Sequence, residues 1–169
     1  LTLSGGGGAW LVSGGLTLND ASSKIELGMG IIVDSVSTSV DNSLGLNVGI
    51  ESTVSSLLVS NILPVVIEQG RSLSGAITVT NNGTLKLIKG YLNNTGMLHS
   101  SISMSGGTTL EADNSLYVSG TLTHTGNITI DVADTKTLTY SGTAISLGAT
   151  TLTLSGGGSL VSGGLTLDD

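Results

Sequence analysis

Acidic side chains standing close together are the first residues in this sequence whose types could do chemistry: Glu111 with Asp113, Asp131 with Asp134, and Asp168 with Asp169. A pair of carboxylates can divide acid and base work, or share a Ca²⁺ ion. Polysaccharide lyases and hydrolases built as β-helices use such acids, but proton abstraction beside a uronate also needs cationic charge stabilisation. Arg71 is the only arginine in the chain. We therefore read these acids as solvated corner residues, and expect no catalytic residues and no metal site.

The two histidines, His99 and His124, have no second His or carboxylate at a metal-like spacing. His124 takes the inward slot of an alternating triplet and reads as a satisfied interior or edge histidine. No serine stands in a Gly-x-Ser-x-Gly elbow. The glycine run Ser4 to Gly8 lacks the Lys-Ser/Thr pair that would hold phosphates, and Gly28-Met-Gly30 lacks the third glycine of a dinucleotide loop. No cofactor is expected.

Composition narrows the partners. A net charge of -7 with only five basic residues, scattered singly, disfavours nucleic acid and anionic membrane surfaces. No apolar run approaches 18 residues, so this segment is not expected to insert in a membrane. Cysteine is absent, which removes disulfides and thiolate metal sites. Hydrophobic residues make up 38% of the 169, yet Phe is absent and aromatics are 2%. An interior filled by Leu, Val and Ile alone must be narrow and repetitive.

The elements that carry these residues are short apolar-x-apolar triplets, among them Leu1-Thr-Leu3, Leu16-Thr-Leu18, Ile25-Glu-Leu27, Leu85-Lys-Leu87, Leu110-Glu-Ala112, Leu116-Tyr-Val118, Ile128-Thr-Ile130, Leu138-Thr-Tyr140 and Leu152-Thr-Leu154. Period-two alternation sends the flanking side chains to one face and the middle one to the other, the pattern of a half-buried strand. Every third strand start falls at 116, 138 and 160, at 122, 144 and 165, and at 128 and 152, with increments of 22, 22, 22, 21 and 24 residues. Three strands therefore make one turn of about 20–22 residues, the arithmetic of a three-sided parallel β-solenoid without significant helix. Gly, Asn and Ser between triplets, as at Asn81-Asn-Gly83, Asn93-Asn94, Ser155 to Gly158 and Ser162-Gly-Gly164, suit the corners.

The chain is expected to be one solenoid segment over 1–169, of roughly seven to eight coils. Its least regular part is 34–70, where Val54, Leu57, Leu58 and Ile62 have helical spacing while the β-branched content and Pro64 favour strands with a bulge or an excursion. Thr17, Thr123, Thr129, Thr139, Thr153 and Thr166 point outward but are dispersed over all three sides, which argues against an ice-binding ladder. Asn82, Asn93 and Asn127 match the N-glycosylation pattern.

Residues 152–169 begin the sequence again: LTLSGGGSLVSGGLTLDD repeats LTLSGGGGAWLVSGGLTLND, with Leu1 matching Leu152 and Leu11 matching Leu160. The chain is thus read as one tandem repeat of about 150 residues plus the start of the next. Leu1, Leu3, Leu16 and Leu18 at one end, and Leu152, Leu154, Leu165 and Leu167 at the other, are the candidate axial interface. Trp10 is the candidate lateral contact.

Segments such as TLTLSGGGSLVSGGLTL and SGTLTHTGNITIDVADTKTLTYSG resemble the β-helical passengers of bacterial autotransporters and filamentous-haemagglutinin-type adhesins. The resemblance implies a bacterial or archaeal extracellular or cell-surface protein: the structural repeat of a fibre or stalk. Its partners are then further copies of itself along the axis, and an adhesin's glycan or surface-protein ligand is the alternative.

Overall fold

The computed structural model describes residues 1–3, 10–28, 31–48, 52–67, 71–89 and 97–166. Among them there is no helix, and the strands stack in parallel as a β-solenoid of about seven turns. One sheet of short strands runs in order through Thr2–Leu3, Lys24–Leu27, Gly45–Val48, Ile62–Ile67, Thr84–Lys89, Thr109–Ala112, Ile128–Val132 and Leu152–Ser155. The other runs through Trp10–Leu18, Ile31–Thr38, Ser52–Val59, Ser72–Val79, Met97–Ser105, Leu116–Ser119, Thr137–Tyr140 and Ser159–Ser162. Each sheet strand pairs with its equivalent one coil later, so the opposite sheet supplies the crossover that parallel strands need.

Registers give the length of each coil. Thr2 faces Glu26, Glu26 faces Asn47, Asn47 faces Val66 and Val66 faces Ile88, advances of 24, 21, 19 and 22 residues. Lys86 then faces Glu111, Glu111 faces Asp131 and Asp131 faces Ser155, advances of 25, 20 and 24. The spread is taken up at corners, because every advance must return the same apolar face to the core.

The third side of the coil is made by bending the long strands. In Ile31–Thr38 the alternation breaks at Asp34-Ser35, so that Val33 and Val36 are both buried. Ser55-Ser56 does the same between Val54 and Leu57. In Ser72–Val79 the bend falls on Gly75, whose φ of 129° and closeness to the Val54 carbonyl leave no room for a side chain. From Gly120 (φ 118°) onward the bend sharpens and the long strand divides. Leu122–Thr125 still pairs with Met97–Ser105, and Ile145–Ser146 pairs with Leu165–Thr166 as a separate two-stranded sheet.

Inward positions form columns: Leu63, Leu85, Leu110 and Ile130 stack in register, as do Ile25, Leu46, Val65, Leu87, Ala112 and Val132, each buried. Tyr140 is the only aromatic residue in this core among the described residues. Repeated small and medium-sized aliphatics stack this way because side chains of similar kind recur about every 4.8 Å along the axis.

Residues 34–48 and 52–67 follow the same ladder. Val54 and Leu57 are buried while Leu58 and Ile62 are exposed, so their helical spacing arises from the phase break at Ser55-Ser56. Pro64 stands opposite Lys86 without a bulge in either of its ladders. Its missing N–H is outweighed by Leu63, Val65 and Ile67 around it, all fully buried.

The glycine corners divide into two kinds. Asn81 (φ 54°) and Asn82 (φ 60°) make a tight turn, and Gly156 to Gly158 turn the chain between Leu152–Ser155 and Ser159–Ser162. Ser13-Gly14-Gly15 lies inside the continuous strand Trp10–Leu18, where Ser13 and Gly14 face the single residue Asp34 as a bulge and the Gly14 N–H donates to Asp34 Oδ2 at 3.2 Å.

Candidate functional site

The ends of the coil are where this architecture leaves backbone and apolar side chains unpaired within the described residues. At the first coil Leu1 is 64% exposed, although its ammonium donates to the Lys24 carbonyl at 2.9 Å. Leu3 and Leu16 are half-buried against the core, and Leu18 is covered by the following coil. Leu1, Leu16, Leu18 and Ile25, together with Thr17, Ser22, Ser23 and Lys24, line an open hollow of about 370 Å³. At the last coil Leu152 and Leu160 are half-buried, Leu154 is 54% exposed, and Leu165 is paired opposite Ile145. Leu167, Asp168, Asp169, Asn93, the run Ser4 to Gly8 and Met29-Gly30 lie outside the described residues, as does the side chain of Trp10, whose backbone pairs with Ile31.

Of the candidate acids, Glu111 and Asp131 are placed on the outer side of the short-strand sheet rather than at corners, whereas Asp113 and Asp134 lie just beyond the ends of those strands. Lys86, Glu111 and Asp131 are successive rungs of one outward column. Lys86 Nζ bridges Glu111 Oε1 at 2.7 Å and Asp113 Oδ2 at 2.9 Å. Those hydrogen bonds, Glu111 first, hold the Lys86 ammonium above the usual lysine range. Near the first coil, Lys24 donates to Glu26 Oε1 at 2.5 Å and the Thr2 hydroxyl to Oε2 at 2.8 Å, which together hold the Glu26 carboxyl below its ordinary range. The Lys86 bridges and the Thr2 contact tie rung to rung, while Lys24 and Glu26 pair within one strand. Among the described residues no three His, Asp or Glu side chains converge as metal ligands.

His99 is exposed, with Nδ1 2.5 Å from the Ser119 hydroxyl one rung above it. His124 is only partly satisfied. Its Nδ1 lies 3.0 Å from the Gly126 carbonyl and 3.3 Å from Thr150 Oγ1, while Nε2 is buried without a partner among the described residues. The expectation of a satisfied histidine is corrected to that extent, because both polar neighbours, the Gly126 carbonyl and the Thr150 hydroxyl, lie on the Nδ1 side of the ring.

Thr129 and Thr153 are paired on the short-strand sheet, Thr139 faces outward from the long one, and Thr123 and Thr166 lie on the third side. Register adds two threonines that inward-outward counting missed. Thr84, Thr109, Thr129 and Thr153 are four successive rungs. Beside the bend, Thr17, Ser37, Leu58, Thr78, Ser103 and Thr123 form a second outward column, uncharged throughout. Asn82 and Asn127 are exposed, the latter accepting the Thr151 N–H at 2.9 Å.

Two polar residues that hold the coil together carry no motif. Asn42 is buried; its Nδ2 donates to the carbonyls of Asp20 (2.8 Å) and Ser23 (2.9 Å), and its Oδ1 accepts the N–H groups of Leu44 (3.0 Å) and Gly45. All four hydrogen bonds available to an Asn amide are used, and they join the corner at 20–23 to the corner one coil later. The Tyr140 hydroxyl does the equivalent at the sharpened bend, between the Gly120 carbonyl and the Leu122 N–H. Only their position in an alternating pattern could have drawn notice to them, since their partners lie about a coil away.

Comparison with protein-family models, curated proteins and solved structures returns no match. The resemblance to autotransporter and haemagglutinin passengers is therefore one of strand-and-corner pattern. The parallel β-solenoid itself, and the placement of the recurring segment in it, carry the functional reading.

Proposed function

We propose that this chain is a structural repeat of an extracellular fibre or cell-surface stalk, extended along the solenoid axis by further copies of the same sequence. One observation carries the reading: the recurring segment returns in phase with the coil. Residues 152–155 lie on the sheet that contains Thr2–Leu3, and Ser159–Ser162 lies on the sheet that contains Trp10–Leu18. A repeat that was out of phase with the turn would place Leu152 over a different side, and further copies could not prolong the same core.

The role is mechanical. Ladders of backbone hydrogen bonds along the axis resist extension, and the paucity of charge and of aromatic side chains suits a uniform rod rather than a site of turnover. The outward column Thr17, Ser37, Leu58, Thr78, Ser103 and Thr123, hydroxylated at every rung but Leu58, favours the adhesin as the second reading, because a row of hydroxyls suits a polysaccharide surface.

The test is a chain in which residues 1–151 precede a complete second copy. Each added repeat is expected to lengthen the particle by about 33 Å, seven coils at about 4.8 Å, in electron micrographs or small-angle scattering. Two globules joined by a flexible link would refute the rod. Retention on a polysaccharide column, abolished by placing Asp at Thr78 and Ser103, would favour the adhesin.

A further inference from the structure

The sequence LVSGGLTL occurs at both ends of the solenoid and faces opposite ways in its first half. In the last coil Leu160 stands opposite the buried Leu138 and packs on the core, while Val161, opposite Thr139, is 53% exposed. In the first coil Leu11 is 65% exposed, opposite the outward Ile32, and Val12 packs on the core opposite the buried Val33. A one-residue slip in a strand exchanges its two faces, and the Ser13-Gly14 bulge absorbs that slip before Leu16 returns to the core. Leu16 and Leu165 then occupy equivalent rungs, opposite Val36 and Ile145.

The two copies differ in what precedes the shared octapeptide, Ala9-Trp10 in the first and Ser159 in the last, and in what lies beside them. The last coil rests on the coil before it, whereas the first coil meets only the coil after it. The chain thus contains a picture of its own joint: the residues that repeat Leu1, Thr2 and Leu3 are seated on Ile128, Thr129 and Ile130, and the repeat of Leu11 is seated on Leu138.

We propose that the hollow bounded by Leu1, Leu16 and Leu18 receives the 128–146 coil of a preceding copy of this chain, and that closing this joint turns Leu11 into the core and Val12 out of it. Leu1 then covers Ile128, Leu11 covers Leu138 and Leu16 covers Ile145. The inference rests on the axial reading above and adds its partner coil and its register. Burial of Leu11 at the joint couples extension of the rod to a local refacing of the strand. Glycines at 14 and 15 give the bulge the freedom to move, since nothing lies within 4 Å of a Cβ placed at Gly14.

The chain has no cysteine, so single cysteines report each position. In the chain itself, Leu11→Cys and Val161→Cys should react rapidly with a maleimide, and Val12→Cys and Leu160→Cys slowly; these four set the scale for the two registers. In the two-copy chain the same substitutions are made in the second copy. Leu11→Cys should there slow by about tenfold or more, since reaction then waits on local opening, and Val12→Cys should speed up. Scattering on the same samples reads the length. A longer rod in which Leu11→Cys stays fast and Val12→Cys slow overturns the register change and leaves the rod standing. Absence of lengthening overturns both.

Discussion

The Tyr140 hydroxyl donates to the Gly120 carbonyl at 3.1 Å and accepts the Leu122 N–H at 3.0 Å, so one side chain satisfies both backbone groups that flank a bend in the coil before it. The bend is where the long strand divides into Leu116–Ser119 and Leu122–Thr125. A continuous strand would have spent those groups on its own ladder. Dividing it frees them, and the core can afford the division only because a buried phenol reaches across.

Tyr140→Phe keeps the ring and leaves that carbonyl and N–H without their partner. The loss expected is about 1–3 kcal/mol, read as a lower midpoint in chemical denaturation with little change in slope.

Asn42→Ala removes four hydrogen bonds and strands two carbonyls beneath a corner. A loss of about 2–4 kcal/mol is expected. Asn42→Asp should be worse at neutral pH, because it sets a buried negative charge against the Asp20 and Ser23 carbonyls; equal stability of the two variants would show that this repulsion does not matter.

Gly14 and Gly75 both adopt positive φ, at 90° and 129°, and differ in their surroundings. A Cβ at Gly14 meets nothing within 4 Å, whereas one at Gly75 lies 1.7 Å from the Val54 carbonyl oxygen. Gly14→Ala should lose about 1–2 kcal/mol from backbone strain alone. Gly75→Ala must also push two coils apart and should lose at least about 3 kcal/mol, so thermal melting should separate the two clearly.

Ion pairs and hydrogen bonds to charged groups make stability depend on pH. Lys86 is held above its ordinary 10.5 by Glu111 and Asp113, so its contribution is complete below that value and disappears as the pH rises through the folded-state value. Glu26, held by Lys24 and Thr2, and Asp20, held by the Ser22 hydroxyl and N–H, titrate below 4.5 and 3.8; their contributions are present above those values and vanish as the pH falls through the folded-state ones. Lys86→Met should lose about 1 kcal/mol at neutral pH and flatten the alkaline limb of the stability profile.

Much of the architecture was legible in the order of residues. The increments from 116 to 138 to 160 and from 128 to 152 reappear as the pairings Leu116 with Leu138, Leu138 with Leu160, and Ile128 with Leu152. That success has a simple cause, because a solenoid makes its long-range contacts at nearly constant sequence separation and period-two alternation marks the face. Corners were legible for the same reason at Asn81-Asn82. The candidate acids were legible only as acids, since the Lys86 bridge depends on which rung of the ladder each residue occupies.

Alternation and spacing by themselves determined a parallel coil of Leu, Val and Ile with a segment that starts over at Leu152. Tertiary structure alone decided which way each strand faces at a bulge, as the opposite orientations of Leu11 and Leu160 in one shared octapeptide demonstrate. The physical reason is that a strand has two nearly equivalent faces one residue apart, and the choice between them is made by the neighbouring coil that pairs with it.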